Sequence, residues 1–199
     1  MFRSTFLMII MFTSLNLIQA KSSTKTDIPQ TKSLCLIKNE KYTDEYLYSS
    51  LLFDEDMRIK LYTNEIDPVY MNSPLQAVWI LEPTNYQNET HFYISNFYQR
   101  KYHLCATNDH VDRFEYRRKI RLEKYEKGIH CLWRFEIVVK KNKSTLNIWN
   151  LKHMQPLYAA SFFFKASPSN RRNVFLWNDK PDSDQFNWKI NCESENLSE

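Results

Sequence analysis

Glycine is almost missing from this sequence, in which Gly128 is the single example among 199 residues. Loops that cradle phosphate need glycine where the backbone approaches the ligand, so the chain has no phosphate-binding loop of this kind. Asn, Asp and Lys must therefore fill the turns. Nucleotide-binding folds that depend on glycine-rich loops are excluded.

Sequence motifs of catalysis and of metal binding are also absent. The chain has no H-E-x-x-H, no G-x-S-x-G, no acidic calcium loop and no C-x-x-C. Five histidines are scattered along it, at His91, His103, His110, His130 and His153, and we interpret them as ordinary strand or loop residues. We therefore predict no catalytic residues, no metal, no cofactor and no enzymatic activity.

A long apolar run occurs only at the N-terminus. Arg3 provides a positive charge, Phe6 to Leu17 is mostly apolar, and Ala20 offers a small residue at a cleavage point. This layout predicts a signal peptide over residues 1–20. A membrane anchor is the alternative, but the run is shorter than the roughly 20 residues that a spanning helix needs. We therefore predict a secreted, extracellular protein without a membrane span.

Composition divides the rest of the chain into three parts. Residues 21–33 are almost entirely polar, which predicts a disordered leader. Residues 34–192 are long enough to bury a core as one domain, and residues 193–199 form a C-terminal tail. The sequence therefore predicts a single folded domain between two short tails.

Three tryptophans mark an internal repeat. Trp79, Trp133 and Trp188 lie 54 and 55 residues apart, each within a run of aromatic and aliphatic residues. Asparagines recur with similar spacing, at Asn39, Asn96 and Asn150. The alignment extends until each copy contains four short runs rich in aromatic and β-branched residues, which predict strands. The sequence thus predicts twelve strands in three repeats of about 54 residues.

A period near fifty is also typical of solenoids and small propellers. Open solenoids need atypical capping repeats, and these three copies leave none. We therefore predict an all-β fold of the β-trefoil type, in which six strands form a barrel and six cover one end, so that few sheet edges are exposed. Because the tryptophans and asparagines recur in every copy, we interpret the former as packing residues and the latter as turn residues that satisfy backbone groups.

Four cysteines, at positions 35, 105, 131 and 192, predict two disulfides in an exported chain. Four cysteines allow three pairings, and their spacing alone does not choose among them. In a closed trefoil the first and last strands are neighbours, which brings Cys35 in the first strand near Cys192 just after the last. We therefore predict Cys35–Cys192, which staples the chain ends, and Cys105–Cys131 within the second repeat.

Three Asn-x-Ser/Thr sequences, at Asn88, Asn142 and Asn196, predict N-glycosylation. Asn88 and Asn142 each lie nine residues after a repeat tryptophan, which places both in the same exposed turn of successive repeats. Asn196 lies in the C-terminal tail. We therefore expect glycans on Asn88 and Asn142 before Asn196.

Basic residues are concentrated in the second repeat, although the formal net charge of the chain is only +4. A run there and an equivalent pair in the third repeat form a candidate basic patch: Arg117, Arg118, Lys119, Arg121, Lys124, Arg171 and Arg172. Three-fold packing does not require this charge, which would attract an anionic surface. The alternative interpretation is a solvated strand and turn. Nucleic acid is discounted as a partner because an exported protein meets little of it.

Three runs of the sequence carry a family resemblance: Trp79 to Pro83, Phe92 to Asn96, and Arg171 to Trp177 leading to Trp188. They resemble the trefoil domain of the low-molecular-weight haemolymph lipoproteins of moths. They are still more similar to short secreted trefoil proteins of flies and mosquitoes, some of them salivary. The resemblance spans residues 34–192. It implies a trefoil fold in an extracellular protein, and it names no ligand and carries over no catalytic residue.

A non-enzymatic interaction protein is the function that these observations favour. Such a protein, for example an insect salivary effector, would bind a host or extracellular protein or a cell-surface receptor. A carbohydrate-binding or glycosaminoglycan-binding module, with sulfated glycans as partner, is the first alternative. Lectin trefoils of the ricin type carry Q-x-W in each repeat, whereas Gln76 and Gln185 lie one position too early here. A haemolymph storage protein is the second alternative, which the basic run disfavours.

Overall fold

The computed structural model describes residues 28–53, 59–64, 73–111, 116–124, 126–140, 143–163, 172–178 and 183–194. The predicted signal peptide, residues 21–27 of the predicted leader, Arg171 and the sequons at Asn142 and Asn196 lie outside the described residues. Within the described part the chain is nearly all-β. The all-β prediction is therefore confirmed.

Strands follow one another along the whole described chain. They are β1 (Ser33–Asn39), β2 (Tyr46–Phe53), β3 (Ile59–Asn64), β4 (Val78–Tyr86), β5 (Glu89–Asn96), β6 (Tyr102–His110), β7 (Arg118–Lys124), β8 (Leu132–Lys140), β9 (Lys143–Asn150), β10 (Gln155–Phe163), β11 (Arg172–Leu176) and β12 (Trp188–Ser194). A one-turn helix, α1 (Ser73–Gln76), and two 3-10 turns (Ile129–Cys131 and Asp184–Phe186) precede β4, β8 and β12. No helix among these described residues is long and apolar enough to cross a membrane. We refer to β1–β4, β5–β8 and β9–β12 as units one, two and three.

Six of the strands pair in a closed ring. β1 pairs with β4 and β12, β5 pairs with β4 and β8, and β9 pairs with β8 and β12, always antiparallel. Each ring strand therefore has a partner on both sides, which satisfies its backbone groups and protects its edges.

The other six strands form three hairpins, β2–β3, β6–β7 and β10–β11. Their second strands meet in a triangle, because β3, β7 and β11 all pair with one another. Each hairpin contains one register shift at an equivalent place: between Ser49 and Phe53, between Ala106 and His110, and between Ala159 and Phe163. Irregularities of this kind bend a strand and increase its twist, which a curved hairpin layer needs. The three hairpins thus form one layer over an end of the ring.

The core fills the ring and continues beneath the hairpin layer. Successive side chains of a strand point to opposite faces, so every second residue of the ring strands faces inward. The largest of these side chains are Trp79, Trp133 and Trp188, each with 0% of its surface exposed. Aliphatic residues from all three units surround them. The core is therefore built from the same residue types three times over.

Both disulfides have the predicted pairing. Cys35 and Cys192 lie opposite each other in the paired strands β1 and β12, so their bond joins the two ends of the described chain. Cys105 of β6 is bonded to Cys131, which ends the 3-10 turn before β8. Cys192 lies within the last strand rather than after it, because β12 continues to Ser194.

The folded part begins earlier than the composition suggests. Residues 21–33 are expected to form a disordered leader, yet Ile28 packs against the core and β1 begins at Ser33. Ile28 is the one aliphatic side chain of that segment, and its burial removes apolar surface from water. The last residues of the leader therefore belong to the fold.

Candidate functional site

The repeated tryptophans are structural residues. In each unit the indole Nε1 donates to a backbone carbonyl of a neighbouring hairpin: Trp79 to Leu47 at 2.8 Å, Trp133 to Leu104 at 2.8 Å, and Trp188 to Leu157 at 3.1 Å. A buried indole N–H needs such a partner, because an unsatisfied buried donor is costly. The rings are fully buried, so the prediction that they are packing residues rather than ligand platforms is confirmed.

The repeated asparagines are also used by the fold. Their side-chain Nδ2 atoms donate to equivalent carbonyls: Asn39 to Gln185 at 3.1 Å, Asn96 to Gln76 at 2.9 Å, and Asn150 to His130 at 2.8 Å. Their Oδ1 atoms accept from backbone N–H groups two or three residues later. Each side chain thus satisfies the local turn, as predicted, and also ties that turn to the segment before a repeat tryptophan.

The seven residues of the candidate basic patch do not form one surface. Arg121 is buried, and its guanidinium forms an ion pair with Asp109 at 3.2 Å. Arg172 is enclosed elsewhere and pairs with Glu45 at 2.8 Å. A cation that is already neutralised within the protein has little charge left for a partner, so we remove both arginines from the candidate surface. Arg171 lies outside the described residues.

Four members of the patch keep part of their surface exposed: Arg117 just before β7, Arg118 and Lys119 within β7, and Lys124 at its end. Arg117 stacks on an aromatic ring, with its guanidinium carbon 4.6 Å from the centroid of Trp177. Arg118 is half-buried, and its Nη1 donates to the carbonyl of Asn108 at 3.0 Å. Arg117 and Arg118 therefore lie where unit two meets unit three, whereas Lys124 lies at the other end of β7.

The contact between unit three and unit one, which we call junction 3/1, consists of Arg172 and Gln185 of unit three with Tyr42 and Glu45 of unit one. The guanidinium of Arg172 stacks on Tyr42, 3.6 Å from the ring centroid, and its Nε donates to Glu45 at 2.8 Å. Gln185 donates to the Tyr42 hydroxyl at 3.2 Å. Junction 3/1 is therefore closed by its own side chains, with a cation and an anion paired inside it.

Junction 2/3 is the equivalent contact one unit earlier, and it consists of Arg118 of unit two with His153 and Gln155 of unit three. Gln155 takes the place of Glu45. Glu45 precedes Tyr46, which pairs with Lys38 of β1, and Gln155 precedes Pro156, which pairs with Trp149 of β9. Where junction 3/1 has a carboxylate, junction 2/3 therefore has a neutral amide.

Arg118 takes the place of Arg172. Both lie two residues before an inward-facing aliphatic residue of β7 or β11. In each, Nη1 donates to a carbonyl of its own hairpin, Asn108 at 3.0 Å and Ser161 at 3.1 Å. The backbone thus presents the two guanidinium groups alike, while their surroundings differ.

Gln155 is buried, with 8% of its surface exposed. Its Nε2 donates to the carbonyl of Tyr116 at 2.9 Å, and its Oε1 is buried without a hydrogen-bond partner among the described residues. Arg118 likewise has no ion pair with a carboxylate of the described residues. The charge of Arg118 is therefore not neutralised within the described part of junction 2/3.

Burial and nearby cations lower the pKa of His153 to about 4. Desolvation is the largest cause, followed by the positive charges of Arg118, Lys152 and His130, while a hydrogen bond with the backbone of Thr107 acts in the opposite direction. His153 is therefore neutral at neutral pH, and its Nε2 is buried without a partner among the described residues. The lowered pKa of His153 therefore reflects its burial first and the nearby charge of Arg118 second.

A buried Ser–His pair lies elsewhere in unit two. Ser95 Oγ is 2.7 Å from His103 Nδ1, and the two residues are only 4% and 7% exposed. Desolvation lowers the pKa of His103, with Lys127 adding to this effect and Glu82 opposing it. A nucleophile must reach its substrate, so a pair enclosed to this extent is a cross-strand packing contact rather than a catalytic one.

The donor atoms of Cys105, His130 and Cys131 lie within 4.8 Å of one another. Metal binding by cysteine requires the thiolate, whereas both sulfurs here are joined in a disulfide. His130 instead faces Glu123, with Nε2 and Oε2 3.5 Å apart. In the oxidised protein this cluster therefore consists of a disulfide beside a histidine that faces a glutamate.

Asn88 lies at the tip of the β4–β5 hairpin. Gln87 and Asn88 form the two-residue turn with positive φ values of 53° and 65°, which Asn adopts more readily than most residues. The side chain is exposed, as a glycosylation site requires. The glycan itself remains a prediction, as do those on Asn142 and Asn196.

No motif singles out Gln155, His153 or the partner atoms of Arg118. The signal for junction 2/3 lies in the repeat alignment, where Glu45 of unit one corresponds to a neutral residue in unit three. The sequence does not show that this difference matters, because Glu45 pairs with Arg172, which lies 127 positions away.

Comparison with known proteins finds similar folds rather than similar sequences. No family model matches the chain, and no curated protein does. The yeast protein O-mannosyltransferase Pmt1-Pmt2 complex matches 86% of this chain with a TM-score of 0.66 and 12% identity, but the chain spans only 26% of that protein. The BEL β-trefoil matches 84% of this chain and 97% of its own length, with a TM-score of 0.57 and 12% identity.

A mosquito salivary protein is also among the similar structures. This Culex protein of the cysteine and tryptophan-rich family matches 83% of the chain and 96% of its own length, with a TM-score of 0.53 and 17% identity. At such identities the likeness shows the fold alone. The fold is therefore that of a β-trefoil, and the resemblance to mosquito secreted trefoil proteins is confirmed.

Proposed function

We propose that this chain is an extracellular, non-enzymatic interaction protein, a β-trefoil of twelve strands in three repeats of about 54 residues. It binds a host or extracellular protein or a cell surface. Insect saliva is the setting that the likeness to the Culex protein supports. Two disulfides among the described residues support an oxidising, extracellular compartment.

The observation that carries this proposal is a contrast between polar residues that recur in all three units and charged residues that occur at one junction. The tryptophans and asparagines that recur in every unit bond to the backbone and are buried. The sequence adds two adjacent cations that three-fold packing does not require, Arg117 and Arg118, where unit two meets unit three. A local excess of positive charge speeds encounter with an anionic partner.

Binding is favoured over catalysis by the same geometry. The Ser95–His103 pair is closed to substrate, and the cysteines near His130 are oxidised. The activity of the yeast mannosyltransferase is not carried over, because this chain spans only 26% of it and shares 12% identity.

Binding to candidate host cells over a salt series tests the proposal. We would replace Arg117, Lys119 and Lys124 together with Ser, and leave Arg121 and Arg172 in place because the fold uses both. The matched control replaces three exposed lysines elsewhere, Lys32→Ser, Lys41→Ser and Lys101→Ser.

We expect the patch variant to bind more weakly and with a shallower salt dependence, since charges are screened beyond about 8 Å at physiological ionic strength. The control, which loses the same charge, should bind nearly as well as the wild type. Equal binding by the wild type and a folded patch variant at every salt concentration would show that the patch is only a solvated strand.

A further inference from the structure

The two junctions hold equivalent arginines, Arg172 and Arg118, which differ in whether a carboxylate of the described residues pairs with them. In junction 3/1 the carboxylate of Glu45 meets Arg172 from within the protein, 2.8 Å away. In junction 2/3 that carboxylate is replaced by Gln155, whose amide turns to the carbonyl of Tyr116. Junction 3/1 therefore shows how a carboxylate binds this arginine, and junction 2/3 lacks such a carboxylate among the described residues.

We propose that Arg118 binds the carboxylate of an acidic sugar, a uronic-acid residue of a cell-surface glycan, in the role that Glu45 has for Arg172. This inference rests on the proposed function and deepens it, since it names the ligand chemistry of the binding surface. Arginine is suited to this because its planar fork pairs with a carboxylate through two parallel hydrogen bonds.

The side chain of Arg118 is already oriented for this contact. Its Nη1 is held by the carbonyl of Asn108 at 3.0 Å, as Arg172 is held by Ser161 at 3.1 Å. Arg118 is only half-buried, so the remaining donors of the fork are within reach of a ligand. A guanidinium that is held in place loses little side-chain freedom on binding, which favours affinity.

A sugar fits the surroundings better than an acidic peptide does. The ring of Tyr116, two residues before Arg118, is exposed at 65% of its surface, while its carbonyl is held by Gln155. An exposed aromatic ring two residues from an arginine offers an apolar surface for the face of a sugar and a cation for its carboxylate. Arg117 is held on Trp177, 4.6 Å from its centroid, and adds positive potential without competing for the same contact.

Four probes separate the possible sources of negative charge. They are a heparin hexasaccharide, the same hexasaccharide with its sulfates removed, the same hexasaccharide with its carboxyls reduced to alcohols, and a hexaglutamate peptide. Binding of each to the full secreted chain would be measured by titration calorimetry at low and physiological salt.

Four variants, two tests each with a matched control, probe the role of the junction. Arg118→Met removes the cation, and Lys124→Ser is its matched control, because it removes one exposed positive charge from the other end of β7. Gln155→Glu supplies a carboxylate from within, as in junction 3/1. Gln155→Met is the control for it, because it removes the hydrogen bond to Tyr116 without adding a charge.

We expect the desulfated hexasaccharide to bind the wild type, and its Kd to rise at least tenfold in both Arg118→Met and Gln155→Glu. Lys124→Ser and Gln155→Met should change that Kd less than threefold, and the carboxyl-reduced sugar should be insensitive to Gln155→Glu. Circular dichroism that matches the wild type would establish that each variant is folded.

Several results would overturn the inference. One is equal binding of the desulfated sugar by the wild type and Arg118→Met, and another is an equal loss in Gln155→Met and Gln155→Glu. Arg118-dependent binding of hexaglutamate without binding of the sugar would assign the site to acidic proteins instead.

Asp112 and Glu115 lie in a neighbouring segment outside the described residues. Binding that occurs only in Asp112→Asn/Glu115→Gln would show that the chain fills the site itself, and would also overturn the inference. The proposed function fails separately, if the wild type binds none of the candidate host cells in the salt series.

Discussion

Junction 3/1 and junction 2/3 present an arginine from equivalent strands to different side chains. In the first, Arg172 is stacked on Tyr42 and paired with Glu45. In the second, Arg118 has a histidine and a neutral glutamine in the corresponding places. The difference follows from what each junction must do for the fold.

Junction 3/1 joins the two ends of the chain. Unit one and unit three are far apart in sequence, and the Cys35–Cys192 disulfide that also links them spans 157 residues. Non-covalent closure there has to overcome the entropy of a long loop, so an internal ion pair and a disulfide are both useful. Units two and three are instead continuous through the β8–β9 hairpin. Junction 2/3 therefore needs no internal ion pair to hold its two units together.

The units differ in a second way, close to the same surface. In unit three, Tyr158 packs on Phe186 with ring centroids 4.8 Å apart. In unit two the equivalent positions hold Cys105 and Cys131. Cys105 follows Leu104, whose carbonyl accepts from Trp133, and Cys131 lies two residues before Trp133. One unit thus uses aromatic packing where another uses a covalent bond.

The largest effect is expected at junction 3/1. Glu45→Gln leaves Arg172 enclosed without its anion, and breaking a buried pair from one side costs about 3–5 kcal/mol. Urea unfolding measures this loss. Gln155→Glu at junction 2/3 is the counterpart, and it should change the free energy of unfolding far less. Equal changes in the free energy of unfolding for the two substitutions would show that both junctions contribute to stability in the same way.

The second comparison predicts the next effect in size. Cys105→Ser/Cys131→Ser opens a loop with a sequence separation of 26 residues, which the chain-entropy model values at about 3–4 kcal/mol. The thermal midpoint under non-reducing conditions should fall accordingly, and reducing buffer, which also opens Cys35–Cys192, should lower the midpoint of the variant further. A midpoint unchanged by the double substitution would mean that packing alone holds unit two together.

The pH dependence of stability sharpens the contrast through His153. The pKa of His153 in the folded protein is about 4, below its ordinary value of 6.5. As the pH falls from about 6.5 to about 4, the unfolded chain therefore takes up a proton that the native state does not. The free energy of unfolding should therefore decrease over this window.

His153→Gln, which places the residue of unit two at the equivalent position, should reduce that decrease. We expect the difference to be about 1 kcal/mol or less, because His153 is partly exposed and solvent screens its neighbours. Urea unfolding at pH 7 and pH 4.5 measures it, and identical slopes for the two proteins would contradict the assignment.

Arg118→Met should affect stability less than any of these changes. It removes one hydrogen bond to the Asn108 carbonyl from a half-buried side chain, which is worth about 0.5–1 kcal/mol. A loss as large as that of Glu45→Gln would mean that Arg118 is a structural residue, as Arg172 is.

The smallest effect is expected at the far end of the molecule. Thr90→Ala removes the sequon of Asn88 without changing the positive-φ turn itself. Gel mobility of protein secreted from insect cells should increase, while stability and glycan binding stay the same, because the tip of the β4–β5 hairpin lies at the end of its strands away from the hairpin layer. Unchanged mobility would show that Asn88 carries no glycan.

Much of the fold was predictable because its determinants repeat. Trp79, Trp133 and Trp188 occupy equivalent places, and once their period indicates a closed ring, the proximity of Cys35 and Cys192 follows. The basic patch was not predictable in the same way. Arg121 and Arg172 look like their neighbours in the sequence, yet each is paired with a carboxylate of the fold.

The strands were predictable because their side-chain patterns are local, and the Cys35–Cys192 pair was predictable because the repeated motifs indicate a closed ring. Which cations are neutralised depends on the folded arrangement alone. Whether an arginine is neutralised depends on a residue such as Glu45, 127 positions from Arg172, that folding brings within 2.8 Å. Charge at a surface is a property of what lies within a few ångströms in space, and distance along the chain does not reveal it.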